Sequence, residues 1–241
     1  MQYLDLTLAT AEENLALDEA LLDEAESLDG PNETLRLWES PAPMVVIGRS
    51  SRMGREVNVG VCRQRGIPVL RRVSGGAAIV AGPGCLMYSL VLSYQLRPQL
   101  RVLPRAHRWV LGMLTEALAP LVPGVGCRGT SDLAVGDRKV SGNSVRCRQT
   151  HFLYHGTLLY DFPLDLVAEC LGMPERMPDY RERRGHGEFV MNLPLPATVI
   201  REALLRAFHA RQARSSWPAL AVARLVAEKY SQPQWNESLY W

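Results

Sequence analysis

Lysine is the residue that this sequence most clearly lacks. Of its 27 basic residues, all but Lys139 and Lys229 are arginines. A chain that otherwise relies on arginine has a specific use for a lysine where a compact point charge is needed, because the planar guanidinium cannot imitate an ammonium group. Lys139 is therefore a candidate catalytic residue, and a solvated turn lysine is the ordinary alternative.

The other absences exclude several classes of protein. The net charge of +2, with the arginines dispersed along the chain, argues against a nucleic-acid partner. The five cysteines show no Cys-x-x-Cys spacing, so we expect reduced thiols and no zinc site. The N-terminal segment has no basic region followed by an apolar one, and no apolar run approaches a membrane span. We therefore expect a cytoplasmic protein with no membrane partner.

Residues 71–89 carry a clear sign of chemistry, although they lack the spacing of a P-loop or a dinucleotide-binding fingerprint. An apolar run ends at Arg71-Arg72, and Ser74-Gly75-Gly76 precedes the next apolar run. Paired glycines let backbone N–H groups approach an anion, and neighbouring arginines can donate paired hydrogen bonds to phosphate or carboxylate. This pattern predicts an anion-binding loop set into a sheet; a hairpin turn with a solvated charge pair is the alternative.

A second stretch, residues 131–144, places Lys139 in a predicted β-hairpin. Alternating apolar residues lead into the tight Gly136-Asp137 turn, and the alternation resumes after it. The turn brings Asp132, on the first strand, within reach of Lys139 on the second.

Elsewhere, short strands alternate with helices. We predict a capped helix after Thr10, a helix over residues 104–121 and an amphipathic helix over residues 200–208. Residues 172–192 are rich in proline and arginine and have little periodicity, which predicts a long loop. Strands paired by hairpins, with helices between them, favour one α+β (mixed α/β) domain for a chain of 241 residues.

Taken together, the two stretches resemble the lipoate–protein ligase family, within the biotin and lipoate ligase superfamily. That family has an Arg-Arg-x-Ser-Gly-Gly-Gly loop before a strand, and a later Asp-Leu…Gly-x-Lys-x-Ser-Gly segment that supplies an essential lysine. The matching residues here are Arg71, Arg72, Ser74, Gly75 and Gly76, followed by Asp132, Leu133, Gly136, Lys139, Ser141 and Gly142. Residues 14–19, 45–49 and 155–159 also match, in the family's order.

The sequence departs from the family pattern at two places. Ala77 stands where the third glycine of the loop is expected, and Ala81-Gly82 replaces a His-Asp pair that often follows the next strand. The missing pair leaves the preferred acyl chain open more than it affects the adenylate chemistry.

The resemblance implies a central, largely antiparallel sheet flanked by helices, as in biotin ligases and class II aminoacyl-tRNA synthetase cores. It implies a catalytic domain over residues 1–211 and a C-terminal helical appendage over residues 212–241. Either a reduced accessory domain is fused there, or the accessory partner is a separate chain. The implied activity uses ATP and Mg²⁺ to activate lipoate or octanoate as acyl-AMP. The acyl group then passes to a lysine on a lipoyl carrier domain, such as an H-protein, a dehydrogenase E2 or another lipoate-binding protein.

Such a reaction brings a carboxylate and an α-phosphate together, so positive charge and backbone N–H groups must offset their repulsion. By resemblance, Lys139 is the central cation, Gly75 and Gly76 are the backbone donors, and Arg71 is the flanking charge. Asp132 is the expected Mg²⁺ ligand, with an ion-pair aspartate as the alternative. The other expected substrate or adenylate contacts are Arg49, Arg72, Ser74, Ala77, Ser141, Gly142, His155 and Gly156. Val46, Val73, Ala77 and Ile79 are candidates for the acyl slot.

Three alternatives stay open at this point. Cys127 would be the nucleophile of an acyltransferase that takes octanoate from an acyl carrier protein without ATP, although a plain structural cysteine is the simpler interpretation. A catalytically silent lipoyl-binding partner subunit is the second. Biotin as substrate is the third, and the absence of that group's basic, glycine- and arginine-rich loop argues against it. The long loop over residues 172–192 is a candidate lid, because an adenylate must be kept from water.

Overall fold

Two β-sheets organise the protein, and the computed structural model describes residues 1–174 and 177–237. The strands are β1 (Gln2–Asp5), β2 (Thr34–Trp38), β3 (Met44–Ile47), β4 (Val69–Arg71), β5 (Ile79–Ala81), β6 (Cys85–Ser93), β7 (Val125–Arg128), β8 (Asp132–Val135), β9 (Arg138–Cys147), β10 (His151–Leu159) and β11 (Gln212–Ala213). The helices are α1 (Ala11–Ser27), α2 (Met53–Glu56), α3 (Val59–Gln64), α4 (Leu103–Leu118), α5 (Asp165–Cys170), α6 (His186–Phe189), α7 (Ala197–Ala207), α8 (Ala219–Leu225) and α9 (Pro233–Asn236).

The larger sheet has eight strands in the order β11-β1-β2-β6-β10-β9-β8-β7. Its first two pairings, β11 with β1 and β1 with β2, are parallel, and all the others are antiparallel. Helices cover both faces. The predicted fold class, a mixed α/β domain with a largely antiparallel sheet flanked by helices, is confirmed.

The two faces of this sheet can be followed along β6, where successive side chains point to opposite sides. Leu86, Tyr88 and Leu90 pack into the core beneath α4 and α7, whereas Met87 and Val91 pack on the side of α1 and the smaller sheet. All nine residues of β6 are buried, as a central strand covered on both faces requires. The candidate site lies on the second side, between the two sheets.

The smaller sheet has the order β4-β3-β5, with β3 parallel to β4 and antiparallel to β5. The two strands that flank residues 72–78 therefore do not pair with each other, because β3 lies between them. A simple hairpin turn would join two strands that pair with each other, so that alternative is wrong. The arrangement matches the prediction of a loop set into a sheet.

Several local predictions are refined. The capped helix after Thr10 is confirmed, and Thr10 and Glu13 form a complete capping box. Residues 172–192 were expected to be a long loop, but they contain a 3-10 turn at Asp179–Arg181 and the short helix α6. Four residues are too few for a periodic signal, which is why α6 escapes sequence analysis. Arg176, which belongs to the predicted lid, lies outside the described residues.

Residues 212–237 form a strand of the large sheet as well as helices. β11 adds to the edge of the large sheet beside β1, and the segment after it packs on α1. Lys229 forms an ion pair with Glu19, with its nitrogen 2.8 Å from Oε2, and lies over the ring of Trp235. None of the helices within the described ranges is long and apolar enough to cross a membrane.

Candidate active site

The loop between β4 and β5 is held in shape from inside by Arg72. Its Nη2 donates to the carbonyl oxygens of Gly75 at 2.6 Å and Ala77 at 3.0 Å, and its Nη1 donates to that of Val46 at 3.0 Å. Burial lowers the pKa of Arg72 to about 10. Since the guanidinium still carries its charge at neutral pH, it closes the loop and places positive charge behind it.

The side chain of Arg71, predicted to face a substrate anion, donates hydrogen bonds to backbone carbonyl oxygens. Its side chain donates to the carbonyl oxygens of Gly48 at 2.9 Å, Ser51 at 2.8 Å and Trp235 at 2.8 Å. Trp235 Nε1 in turn donates to the carbonyl oxygen of Arg71 at 2.8 Å. These contacts tie the C-terminal segment to the loop after β3. The role of Arg71 as a flanking charge for a substrate anion stays a prediction.

The end of β3 lies directly against the candidate anion-binding loop between β4 and β5. This loop, residues 72–78, is called the anion-loop candidate. Arg49 donates its backbone N–H to the carbonyl oxygen of Ser74 at 2.8 Å. A Cβ at Gly48 would lie 2.0 Å from the carbonyl oxygen of Gly76, and Gly76 itself has a φ of +87°. Glycine is needed at both positions, because at Gly48 any side chain would collide with the loop and at Gly76 the backbone is left-handed.

Lys139 lies beside Asp132, as the hairpin prediction required. Its Nζ is 2.7 Å from Asp132 Oδ1, and the other carboxylate oxygen accepts a hydrogen bond from the hydroxyl of Tyr180 at 2.8 Å. Lys139 pairs with Ala134 across the hairpin, next to a register shift between Leu133 and Ala134. The lysine keeps 27 % of its side-chain surface exposed, against 10 % for the aspartate, so the ammonium is accessible while its partner is not.

Two cavities meet next to this lysine. The larger encloses about 880 Å³, including space open to solvent, and Lys139, Ser141, Ala77 and Phe189 are among its lining residues. The smaller measures about 360 Å³, again including space open to solvent, and Val46, Met87, Arg72 and His155 are among its lining residues. Ile79, Gly142 and Thr157 line both. The two cavities are therefore adjacent and share part of their lining.

The smaller cavity is backed by a buried polar network. His155 Nε2 is 2.5 Å from Ser74 Oγ, and His155 Nδ1 is 3.3 Å from Asp18 Oδ2. Asp18 Oδ1 forms an ion pair with Arg36 at 2.6 Å, and Ser89 donates to its other oxygen at 2.6 Å. Burial alone would raise the pKa of Asp18, but the Arg36 charge and the hydrogen bond to His155 outweigh it and leave the pKa below its usual value.

Gly156 on β10 and its neighbours Asn143 and Ser144 on β9 shape the sheet surface where these two strands pair. A Cβ at Gly156 would lie 1.8 Å from Asn143 Oδ1, so only glycine leaves room for this amide. Asn143 Nδ2 donates to the carbonyl oxygen of Ser131 at 2.8 Å, and Ser144 Oγ donates to that of Gly75 at 2.8 Å. β9 is thereby tied both to the Lys139 hairpin and to the anion-loop candidate.

The model of the lipoyl protein ligase A/B catalytic domain family matches residues 10–208. This chain belongs to that family. The match runs from the cap of α1 to the end of α7 and so includes both motif stretches and both cavities.

Individual relatives agree with this placement. A protein of Aeropyrum pernix that bears the name lipoate-protein ligase A is 35% identical over 146 residues, which cover 61% of this chain and 52% of that protein. The octanoyltransferase LipM of Symbiobacterium thermophilum is 28% identical over 227 residues, 86% of this chain and 80% of that protein. The chain spans about half the length of the curated ligases it matches.

A solved structure shares the fold. It is a bi-partite lipoate protein ligase of Thermoplasma acidophilum, solved in a study with its E2 lipoyl domain. It superimposes with a TM-score of 0.85 at 23% identity and covers 100% of this chain and 97% of that one.

Asp132 is the residue predicted to bind Mg²⁺. Both carboxylate oxygens already have partners, Lys139 and Tyr180. No cluster of three histidine, cysteine, aspartate or glutamate side chains suited to a metal occurs within the described ranges. The role of Asp132 as a Mg²⁺ ligand stays a prediction.

Cys127 lies on the edge strand β7, where it is exposed and pairs with Leu133. Its sulfur is 3.5 Å from Thr115 Oγ1. No cysteine occurs among the described residues that line the two cavities. This position favours the structural interpretation of Cys127.

Sequence analysis missed several residues that the structure brings to the site. Tyr180 approaches Asp132 from the predicted lid, and Glu56 accepts the backbone N–H of Ala78 at 2.6 Å while it lines the larger cavity. Asp18 is one of residues 14–19, which match the ligase family, and this match is the sequence signal for it. Nothing in the local sequence pattern around Glu56 indicates a role.

Proposed function

We propose that this protein is an ATP-dependent lipoate–protein ligase. It activates lipoate or octanoate as acyl-AMP and transfers the acyl group to a lysine on a lipoyl carrier domain. The observation that carries the proposal is the position of Lys139, whose ammonium lines the larger of two cavities that share the wall formed by Ile79, Gly142 and Thr157. We assign the nucleotide to the larger cavity, which Lys139 lines, and the acyl chain to the smaller one, which Val46 and Met87 line.

The chemistry follows from this geometry. A carboxylate oxygen attacks the α-phosphorus of ATP, pyrophosphate leaves, and a mixed anhydride forms. Two anions must approach each other, and Lys139 is the cation that offsets their repulsion. Gly75 and Gly76 are exposed at the tip of the adjacent loop, where backbone N–H groups are accessible to a phosphate. In the second step the amine nitrogen of the carrier lysine attacks the acyl carbon, and AMP leaves.

The smaller cavity is the proposed site of the acyl chain. Val46 and Ile79, two of the four candidates for the acyl slot, line it together with Leu15 and Met87. Ala77 lines the larger cavity, and Val73 is buried in the core. Apolar side chains at one end and polar groups near Lys139 at the other match an acid whose carboxylate points to the nucleotide.

The proposed acceptor is a lipoyl domain in the cytoplasm. The Thermoplasma neighbour was studied with an E2 lipoyl domain, which supports a carrier of this type. Residues 212–241 would then be an appendage of a catalytic domain over residues 1–211, with the contacts of Arg71 to Trp235 joining the two.

One assay tests the proposal directly. The protein is incubated with lipoate, ATP and Mg²⁺, and pyrophosphate release and protein-bound lipoyl-AMP are measured. We expect one tightly held lipoyl-AMP per active chain. Absence of both products from a folded sample, with octanoate as well as lipoate, would refute the ligase.

The similarity to an octanoyltransferase over 86% of the chain supports a second candidate, thioester-based transfer through Cys127. The exposed position of Cys127 away from the described cavity walls weighs against it. A non-catalytic lipoyl-binding subunit is the third candidate and predicts lipoate binding with no pyrophosphate release.

A further inference from the structure

The carboxylate of Asp132 is shared between two donors on different elements. Lys139, from β9, contacts Oδ1 at 2.7 Å, and Tyr180, from the segment after α5, donates to Oδ2 at 2.8 Å. The two donors are 41 residues apart in sequence and meet only in the folded protein. A change in the hydrogen bond from Tyr180 to Asp132 therefore also affects the ion pair between Asp132 and Lys139.

Tyr180 is fixed in place by the segment around it. Its ring packs against Phe189 with the ring centres 5.1 Å apart, and Phe189 lines the larger cavity. Arg184 donates to the carbonyl oxygen of Tyr180 at 2.7 Å and to Asp137 Oδ2 at 2.8 Å. Since Asp137 lies in the turn of the Lys139 hairpin, the hydroxyl is held at a set distance from the site.

The hydroxyl remains a donor throughout the neutral range, because burial and then the charge of Asp132 raise the pKa of Tyr180. A hydrogen bond to one oxygen of a carboxylate draws negative charge toward that oxygen and weakens the attraction that the other oxygen exerts on an ammonium. An anion that enters the larger cavity competes with Asp132 for the same ammonium. By weakening the attraction of Asp132 for the ammonium, the hydrogen bond from Tyr180 thus favours binding of the anion to Lys139.

We propose that Tyr180 is a positioning residue for Lys139: by donating to Asp132 it loosens the ion pair and leaves the ammonium available to an anionic ligand in the larger cavity. The ion-pair part of this inference is independent of the proposed function, and only its consequence for nucleotide use rests on that function. Because Tyr180 belongs to the segment predicted as a lid, correct packing of that segment and availability of Lys139 are coupled.

The scarcity of lysine makes the test simple. The amine of Lys139 is acetylated with a water-soluble reagent, and the rate is followed by peptide mass spectrometry, with Lys229 as the internal reference in the same molecule. Tyr180→Phe retains the ring that packs on Phe189. We expect Lys139 to react about fivefold more slowly in Tyr180→Phe, the change expected from one hydrogen bond, while Lys229 reacts at the parent rate.

The dependence on Asp132 is tested in the Asp132→Asn background, where the amide cannot form the ion pair. There, Tyr180→Phe should leave the reactivity of Lys139 unchanged. Thermal melting checks that each variant is folded, and Asp132→Ser replaces Asp132→Asn if the latter does not fold. An unchanged or faster reaction of Lys139 in Tyr180→Phe overturns the proposal, since a merely loosened segment would expose the lysine. Equal slowing in both backgrounds also overturns it.

An activity measurement separates this inference from the proposed function. If the parent protein releases pyrophosphate, Tyr180→Phe should raise the KM for ATP about fivefold with little change in kcat, and the effect should vanish in the Asp132→Asn background. If the parent releases none, the proposed function fails, and the acetylation rates still decide the role of Tyr180.

Discussion

The hydroxyl of Ser74 and Nε2 of His155 are 2.5 Å apart, although 81 residues separate them in the chain. Through this contact the anion-loop candidate is joined to the central strand β10, and through Asp18 it is joined to α1. Three of the stretches that resemble the ligase family therefore meet at one buried point behind the smaller cavity. The shape of the loop depends on that network as much as on its own glycines.

The network makes the stability of the protein dependent on acid pH. Because Arg36 and His155 hold the pKa of Asp18 below its usual value despite burial, the ionised carboxylate stabilises the fold above its unfolded pKa. This stability is lost as the pH falls below the unfolded pKa, about 4, and through the lower folded pKa. Asp18→Asn leaves the buried Arg36 unpaired and should cost about 3–5 kcal/mol at neutral pH.

Urea unfolding across this pH range measures both effects, with Asp29→Asn, at an exposed position, as the control. We expect a shallower loss of stability in acid for Asp18→Asn than for the parent. An equal acid dependence in the two proteins would show that Asp18 is not the group responsible.

Lys139→Ala should abolish adenylation while the protein stays folded. Removal of a preorganised charge at a developing anion typically costs about 10²–10³ in rate, whereas the lysine is partly exposed and contributes little to the core. Lys139→Arg should also be impaired, because the guanidinium is not a point charge. Lys229→Ala, the only other lysine position, is the control and should release pyrophosphate at the parent rate. Formation of acyl-AMP by Lys139→Ala at the parent rate would contradict the assignment.

Gly48→Ala should damage the site through the backbone. The new methyl group would lie 2.0 Å from the carbonyl oxygen of Gly76, so the loop must move. We expect weaker binding of acyl-AMP, measured by calorimetry, with a loss of stability of about 1–3 kcal/mol from overpacking. Gly112→Ala, where a Cβ meets nothing within 4 Å, is the matched control. Parent-like affinity in Gly48→Ala would mean that the loop position is not needed.

Cys127→Ser should leave ATP-dependent ligation unchanged, because the thiol is outside the described cavity walls. Thioester-based transfer predicts the reverse: activity is lost in the variant, and the parent protein carries an acyl group on Cys127. Intact-protein mass spectrometry after incubation with octanoyl acyl carrier protein distinguishes them. A mass increase of one octanoyl group on the parent, absent from the variant, would favour the transferase.

The segment over residues 172–192 should become more ordered when acyl-AMP binds. Pro174, Arg181 and Phe189 line the larger cavity, so a ligand there would contact the segment and shield it from water. Hydrogen exchange with and without lipoyl-AMP tests this. Unchanged protection across residues 176–188 would show that the segment is not a lid.

Much of this protein is determined locally. The capping box of α1, the turn at Gly136-Asp137 and the apolar run of β6 each depend on neighbouring residues, so the elements and the mixed α/β fold class can be predicted from sequence. The pairing of Lys139 with Asp132 is predictable for the same reason, since a tight turn brings the two strands together.

Tertiary structure decided the rest, because long-range pairing depends on contacts that no local pattern records. Only the fold shows that Arg71 donates to the backbone of Trp235 and that His155 reaches Ser74. Only the fold brings Tyr180 to Asp132, across 48 residues of chain. Sequence names the chemical groups that a site can use, whereas the packing of distant elements determines which groups face the cavity and which hold the backbone around it.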